Sequence, residues 1–166
     1  MKELTQIRSA VVAALQAGGL EAGEAFPARQ ARPTDAPVAS VGVGAAESGA
    51  VGFCSYLGEE YDPETSAYRE RYGKLLEADI TVDIRAVGAE ACQAGCEAAA
   101  EVLLGDLPQG IRPGELRWEG LAWERATGMF LRRGVLRCRA VFVARASSGE
   151  EDGAFLDFIL KGVVTT

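Results

Sequence analysis

The sequence predicts an α+β fold built on a mostly antiparallel sheet, and three observations predict it. Residues 75–87 alternate without a break: Ala78, Ile80, Val82, Ile84 and Ala86 share one face, while Asp79, Thr81, Asp83 and Arg85 share the other. A strand with one packed and one wetted face belongs to an antiparallel sheet. Two segments, 2–17 and 89–105, carry small and apolar residues at helical spacing. Helices and strands then follow one another in an order that does not strictly alternate, which favours α+β over a doubly wound parallel sheet.

In the first helix Leu4, Ile7, Val11, Ala14 and Leu15 form one stripe, and Gly18 and Gly19 end it, as glycine does at helix C-termini. A polar stretch punctuated by Pro27, Pro33 and Pro37 follows. Residues 38–46 read as a strand of small residues with Ala39, Val41 and Val43 on one side. Glu47–Gly49 reads as a turn and 50–57 as the returning strand of a hairpin, with Val51, Phe53, Ser55 and Leu57 on one face. Residues 58–73 are highly charged yet hold three tyrosines, and read as a long exposed loop or hairpin tip.

After the strand at 75–87, the second helix buries Cys92, Cys96, Ala99 and Leu103. A loop with two proline turns covers 106–115, then strands are expected at 115–124 and 134–145, enclosing a shorter one near Gly128–Leu131. The acidic segment 147–153 reads as a linker, and the apolar tail that closes 147–166 as a last strand or a docking segment.

At 166 residues and 17.5 kDa the chain has the size of one domain, 1–166. Seventeen Lys+Arg against 24 Asp+Glu give a net charge of -7, which argues against a general or sequence-specific nucleic-acid binder. No apolar run reaches the roughly 18 residues of a membrane span. Glu3, Gln6 and Arg8 interrupt the opening segment at helical spacing, so it reads as a helix and not a signal peptide. The expected place is the cytosol, or a particle assembled there.

The chain has no histidine, which removes the Ser-His and Cys-His devices of nucleophilic catalysis. GVGAAESG at 42–49 lacks the lysine of a phosphate loop and carries Glu47 where a dinucleotide fingerprint needs glycine. Cys92 and Cys96 stand one helical turn apart and with Cys54 and Cys138 could be weighed as a zinc set. Their place on an apolar stripe favours the core, where free cysteine packs as a small hydrophobe. Asp79 and Asp83 share the wetted strand face and read as solvated or as partners of arginines on another subunit. No catalytic residue, metal or cofactor is expected.

Tyr56, Tyr61, Tyr68 and Tyr72, with Arg69 and Arg71 among them, are the residue types that anchor protein interfaces. They are candidate contacts, or simply cover a sheet edge. Trp118 reads as core, and Trp123, on the opposite face of a continuous strand, as a further contact; Phe155 and Phe158 in the tail dock on their own sheet or on a neighbour.

The order of MKELTQIRSAVVAALQ, the small-residue strand after a proline-rich turn, FCSYLGEEYD, YGKLLEADITVDIRA, a helix, LPQGI leading into strands, and FLDFILKG is similar to that of phage and prophage tail-terminator, tail-completion or head–tail joining proteins. The likeness spans nearly the whole chain and rests on arrangement more than on invariant motifs; the segment after 147 departs from it. The resemblance implies a virion structural protein, made in the bacterial cytoplasm and ending in the virion tail. It implies an antiparallel sheet with two helices on one face, and a homo-oligomeric ring, often a hexamer, that meets other tail or connector proteins. On the residues alone a cytosolic ligand-binding or regulatory module remains open, as does a small enzyme using carboxylates or a cysteine.

Overall fold

In the computed structural model, which describes residues 2–26, 35–105, 107 and 110–144, one long strand organises the rest. The elements run α1 (Lys2–Ala17), β1 (Glu21–Gly23), β2 (Val38–Ala50), a single 3-10 turn (Phe53–Ser55), β3 (Tyr56–Asp62), β4 (Ala67–Ala86), α2 (Ala89–Leu103), β5 (Arg112–Trp118), β6 (Ala122–Glu124) and β7 (Met129–Ala144). The sheet order is β1-β2-β4-β7-β5, with β3 continuing beside β4 and β6 beside β7. Every pairing is antiparallel except the short one of β1 with β2. The fold is α+β, as the alternation in 75–87 requires.

β4 is long because its alternation continues past the segment that first reveals it. Leu76, Ala78, Ile80, Val82, Ile84 and Ala86 are buried under the two helices. Across the sheet Leu136, Cys138 and Ala140 stand opposite Ile80, Ala78 and Leu76, and Val41 and Ala39 stand opposite Val82 and Ile84. α1 lays Leu4, Ile7, Val11 and Leu15 on this layer, and α2 lays Cys92, Cys96, Ala99 and Leu103. Each fully buried aliphatic side chain contributes about 1.5–3 kcal/mol.

α1 stops where the sequence places its glycines. Gly19 adopts φ 85, its N–H donates to the Gln16 carbonyl, and the Leu20 N–H reaches back to Leu15, the paired bonds of a Schellman cap. α2 lies unusually close to the sheet because of its small residues. A methyl group on Gly95 would sit 2.6 Å from Pro37 Cβ and 3.0 Å from Ile84 Cγ2.

The expected hairpin at 38–57 is not what forms. Glu47–Gly49 stays in strand, paired with Leu75–Glu77, because β4 supplies partners beyond the local turn signal. The chain instead bends at Gly52, Cys54 and Ser55, whose φ values are 56, 54 and 59. Residues 51–55 bulge out opposite Gly73 alone, since Ala50 pairs with Lys74 and Tyr56 with Tyr72. β2 and β3 thus form one interrupted strand along the same edge of β4, and the true reversal is Pro63–Ser66. The strand expected at 115–124 is two, β5 and β6, and the two expected after it are one, β7. The tail 147–166 lies outside the described residues.

Candidate interaction surface

Among the described residues β7 accompanies β4 as far as Tyr72, which pairs with Ala144, and β2 as far as Lys74. Past these rungs β3 and the start of β4 pair with each other as a two-stranded arm, with no further strand beside them among the described residues. Its rungs run from Tyr56–Tyr72 to Asp62–Ala67, about 20 Å at the usual rise per strand residue. Of the two readings of 58–73, the loop gives way to the hairpin tip: the segment is ribbon on either side of a four-residue turn, Pro63–Ser66.

The register sorts the arm's side chains onto two faces. Continuing the helix side of the sheet are three rungs: Tyr56–Tyr72, Glu59–Glu70 and Tyr61–Tyr68. The tyrosine rings meet in pairs, 5.7 Å apart and near edge-on for Tyr56–Tyr72, 5.3 Å apart and tilted for Tyr61–Tyr68. Tyr68 is 71% exposed, and among the described residues no helix covers this face. Tyr72 Oη donates to Glu70 Oε2 at 2.5 Å, which pushes the phenol above its ordinary pKa. The opposite face is neutralised within the arm: Arg69 meets Asp62 at 2.9 Å and Arg71 meets Glu60 at 3.6 Å.

Among the described residues the sheet's other face carries no helix, and its charges are sorted by strand. Glu77, Asp79 and Asp83 of β4 stand directly opposite Arg139, Arg137 and Arg133 of β7. Opposite charges in register contribute about 0.2–1 kcal/mol per rung. Arg139 Nε donates to Glu77 Oε1 at 2.7 Å and Arg137 Nη2 to Glu77 Oε2 at 3.3 Å; the Arg139 bond is the main reason the Glu77 carboxyl lies below its usual range. Asp79 and Asp83 thus face arginines of their own chain. Outside β7, β5 adds Arg112 opposite Arg139, so the rung Glu77–Arg139 ends at the sheet edge in two neighbouring guanidinium groups.

At the far end of the sheet Arg85 is buried, 8% exposed. Its Nε donates to Glu124 Oε2 at 2.9 Å and its Nη1 to Ser40 Oγ at 2.9 Å, while the Phe26 ring lies 4.8 Å from its Cζ. Glu124 also accepts from Thr127 Oγ1 at 2.7 Å. The Arg85 bond holds the Glu124 carboxyl below its ordinary pKa, whereas burial pushes Asp83 above it. This cluster ties β2, β4 and β6 together.

The candidate residues fall in different places. Tyr56, Tyr61, Tyr68, Arg69, Arg71 and Tyr72 come together on the arm, tyrosines on one face and arginines on the other. Trp123 is 53% exposed but stands on β6 at the opposite end of the sheet, 5.0 Å from Phe130 and edge-on to it. Trp118 pairs with Gly134 and Trp123 with Phe130, so both point to the helix side: the break at Glu119–Leu121 undoes the opposition that a continuous strand would impose. Phe155 and Phe158 lie outside the described residues.

Cys92, Cys96 and Cys138 are core residues. Cys92 Sγ donates to the Ile84 carbonyl at 3.4 Å, and burial raises the pKa of all three, to about 12 for Cys96 and Cys138. They are held as thiols, the form that neither attacks nor binds zinc. Cys54 is exposed in the bend, away from them. Among the described residues no three acidic or cysteine side chains are grouped to hold a metal, and no helix is long and apolar enough to cross a membrane.

No protein-family profile matches the chain, and no curated protein does. Among solved structures it is similar to a chain from "Virion of native gene transfer agent (GTA) particle", at 18% identity and a TM-score of 0.37, over 78% of this chain and 83% of that one. At that TM-score the likeness carries no argument.

Proposed function

We propose that this protein is a structural subunit of a phage or prophage tail, a tail-terminator or tail-completion protein that forms a ring at the tail tube or head–tail junction, and that it is not an enzyme. The observation that carries this reading is the arm: a two-stranded ribbon that extends past its own sheet and displays paired tyrosines to solvent. An exposed ribbon of that kind contributes little to its own domain and much to a neighbour, since tyrosine and arginine are favoured interface anchors. The reactive groups point the same way. Histidine is absent, three of the four thiols are buried with raised pKa values, and the β4 carboxylates of the open face stand opposite arginines of β7.

In this reading Tyr56, Tyr61, Tyr68, Arg69, Arg71 and Tyr72 contact the next subunit. Trp123, at the far end of the sheet, and Phe155 and Phe158 of the tail are further contacts with other tail or connector proteins. The ring is homo-oligomeric, and rings of the family the sequence resembles are often hexamers. It is built in the bacterial cytoplasm and carried in the virion tail. Negative-stain electron microscopy tests it. Purified protein, alone and mixed with tail tubes of the phage that encodes it, should give closed rings or tubes capped at one end. Uncapped tubes beside a chain that forms no rings would contradict the reading.

A further inference from the structure

Three rungs of this sheet set like charges directly opposite each other; in one, Glu47–Glu77, Arg137 and Arg139 hold the Glu77 carboxylate, and the other two are of opposite sign. Glu59 faces Glu70 on the arm, and Arg112 faces Arg139 at the edge of the open face. Such pairs are destabilising in an isolated sheet. Neither is relieved by the other within one chain. The glutamates project from the helix side and the arginines from the open side of the same sheet, and the arm leads away from the body. The arm's own arginines do not serve Glu59 and Glu70 either, because Arg69 and Arg71 pair with Asp62 and Glu60 on its other face.

Resting on the reading of the chain as a self-assembling subunit, we propose that the Glu59–Glu70 rung of one copy docks on the Arg112–Arg139 rung of a second copy. The flanking residues suit that partner. A guanidinium stacks on a tyrosine ring and bonds a carboxylate with its fork; Tyr56–Tyr72 and Tyr61–Tyr68 flank the glutamates on the same face, and Tyr72, which already donates to one oxygen of Glu70, leaves the other carboxylate oxygens for an incoming guanidinium. Arg139 already holds Glu77, which fixes its stem while its outer edge stays exposed, and Arg112 is exposed beside it. The direction of the contact also follows. A donor on the helix side and an acceptor on the open side meet when copies stand in the same orientation, helix side to open side. That contact is head-to-tail and generates a ring when the rotation closes. A two-fold dimer would not join the two rungs this way.

Charge reversal tests the pairing by sedimentation velocity near 0.1 M salt, where charges beyond about 10 Å are screened. E59R/E70R should weaken self-association on the order of 100-fold, the usual loss for a desolvated charge pair, and so should R112E/R139E. Mixed together, the two defective proteins attract at both ends, one contact with the parent's charges and one with them reversed, and should co-assemble in alternation although neither associates with itself. Combining all four substitutions in one chain should restore the parent's assemblies. Because R139E also removes a partner of Glu77, R112E alone serves as the check, with unchanged thermal unfolding and association weakened at least tenfold. Assembly of E59R/E70R at the parent's affinity overturns the proposal; if shortening the arm still abolishes assembly, the subunit reading stands without it. A parent chain that stays monomeric at high concentration also overturns the proposal, and capping of tail tubes then decides the broader reading separately.

Discussion

Arg85 shows what a single residue's position can hide. In the sequence it ends the polar half of an alternating strand, beside Asp83, and nothing local marks it as buried. Its main partner, Glu124, is 39 residues away, so the pairing is a property of the folded sheet. Replacing Glu124 with Gln would leave the guanidinium with only the longer ion pair to Asp83, 3.6 Å, at a cost of about 1–3 kcal/mol near neutral pH. Because Arg85 lowers the folded pKa of Glu124, that contribution is complete above the unfolded carboxylate value of about 4.3 and is lost as pH falls through the lower folded value. Asp83, raised by burial, works in the opposite sense, since its folded form takes up a proton first. The gap in melting temperature between parent and E124Q should therefore narrow below about pH 4; a gap that is constant from pH 7 to pH 3 would contradict the pairing. Gly95 is a second such residue. Gly95→Val would drive side-chain atoms into Pro37 and Ile84 and should cost about 1–3 kcal/mol by overpacking, against the gain in intrinsic helix propensity that glycine replacement brings. A melting temperature equal to or above the parent's would refute the close approach of α2.

At the scale of elements, what could be read was what repeats. The stripe of α1, the stripe of α2 and the alternation of 75–87 gave both helices and the central strand, because each is long enough for its period to show. The arm was only half legible. Its tyrosines and arginines could be picked out as residue types, but their sorting onto two faces depends on a register that 51–55 interrupts. Glu70 and Arg112 do not stand out in the sequence, and Glu59 does so only as an acidic neighbour of Glu60: a like-charge rung exists only once strands are paired. β1 was missed because three residues carry no period, and the turn expected at 47–49 lost to pairing with β4. The arm's place outside the core gives a test. Replacing Tyr61 and Tyr68 together by Ala should remove about 0.5–1 kcal/mol of cross-strand contact without moving the global melting temperature by more than a degree or two. Amide hydrogen exchange should speed up from 59 to 70 and stay unchanged in 76–86. Equal acceleration in both regions would mean that the arm and the body unfold as one unit.

For the whole molecule, the sheet divides the work between its ends and faces. One face is closed by α1 and α2, the other is held by acid–arginine rungs between β4 and β7, and the arm carries aromatic and acidic groups past both. A molecule with a net charge of -7 repels its copies at long range, so association needs local complementarity, which the proposed contact assigns to the arm and the β5 edge. The central claim is that this arm joins copies of the chain. Sedimentation velocity of the full chain beside one in which 59–70 is replaced by Asn-Gly measures it most directly. That replacement keeps the Gly58–Arg71 rung and a favoured two-residue turn. The full chain should sediment as a closed oligomer, and the shortened chain as a folded monomer with an unchanged melting temperature. A shortened chain that forms the same oligomer at the same concentration would contradict the claim.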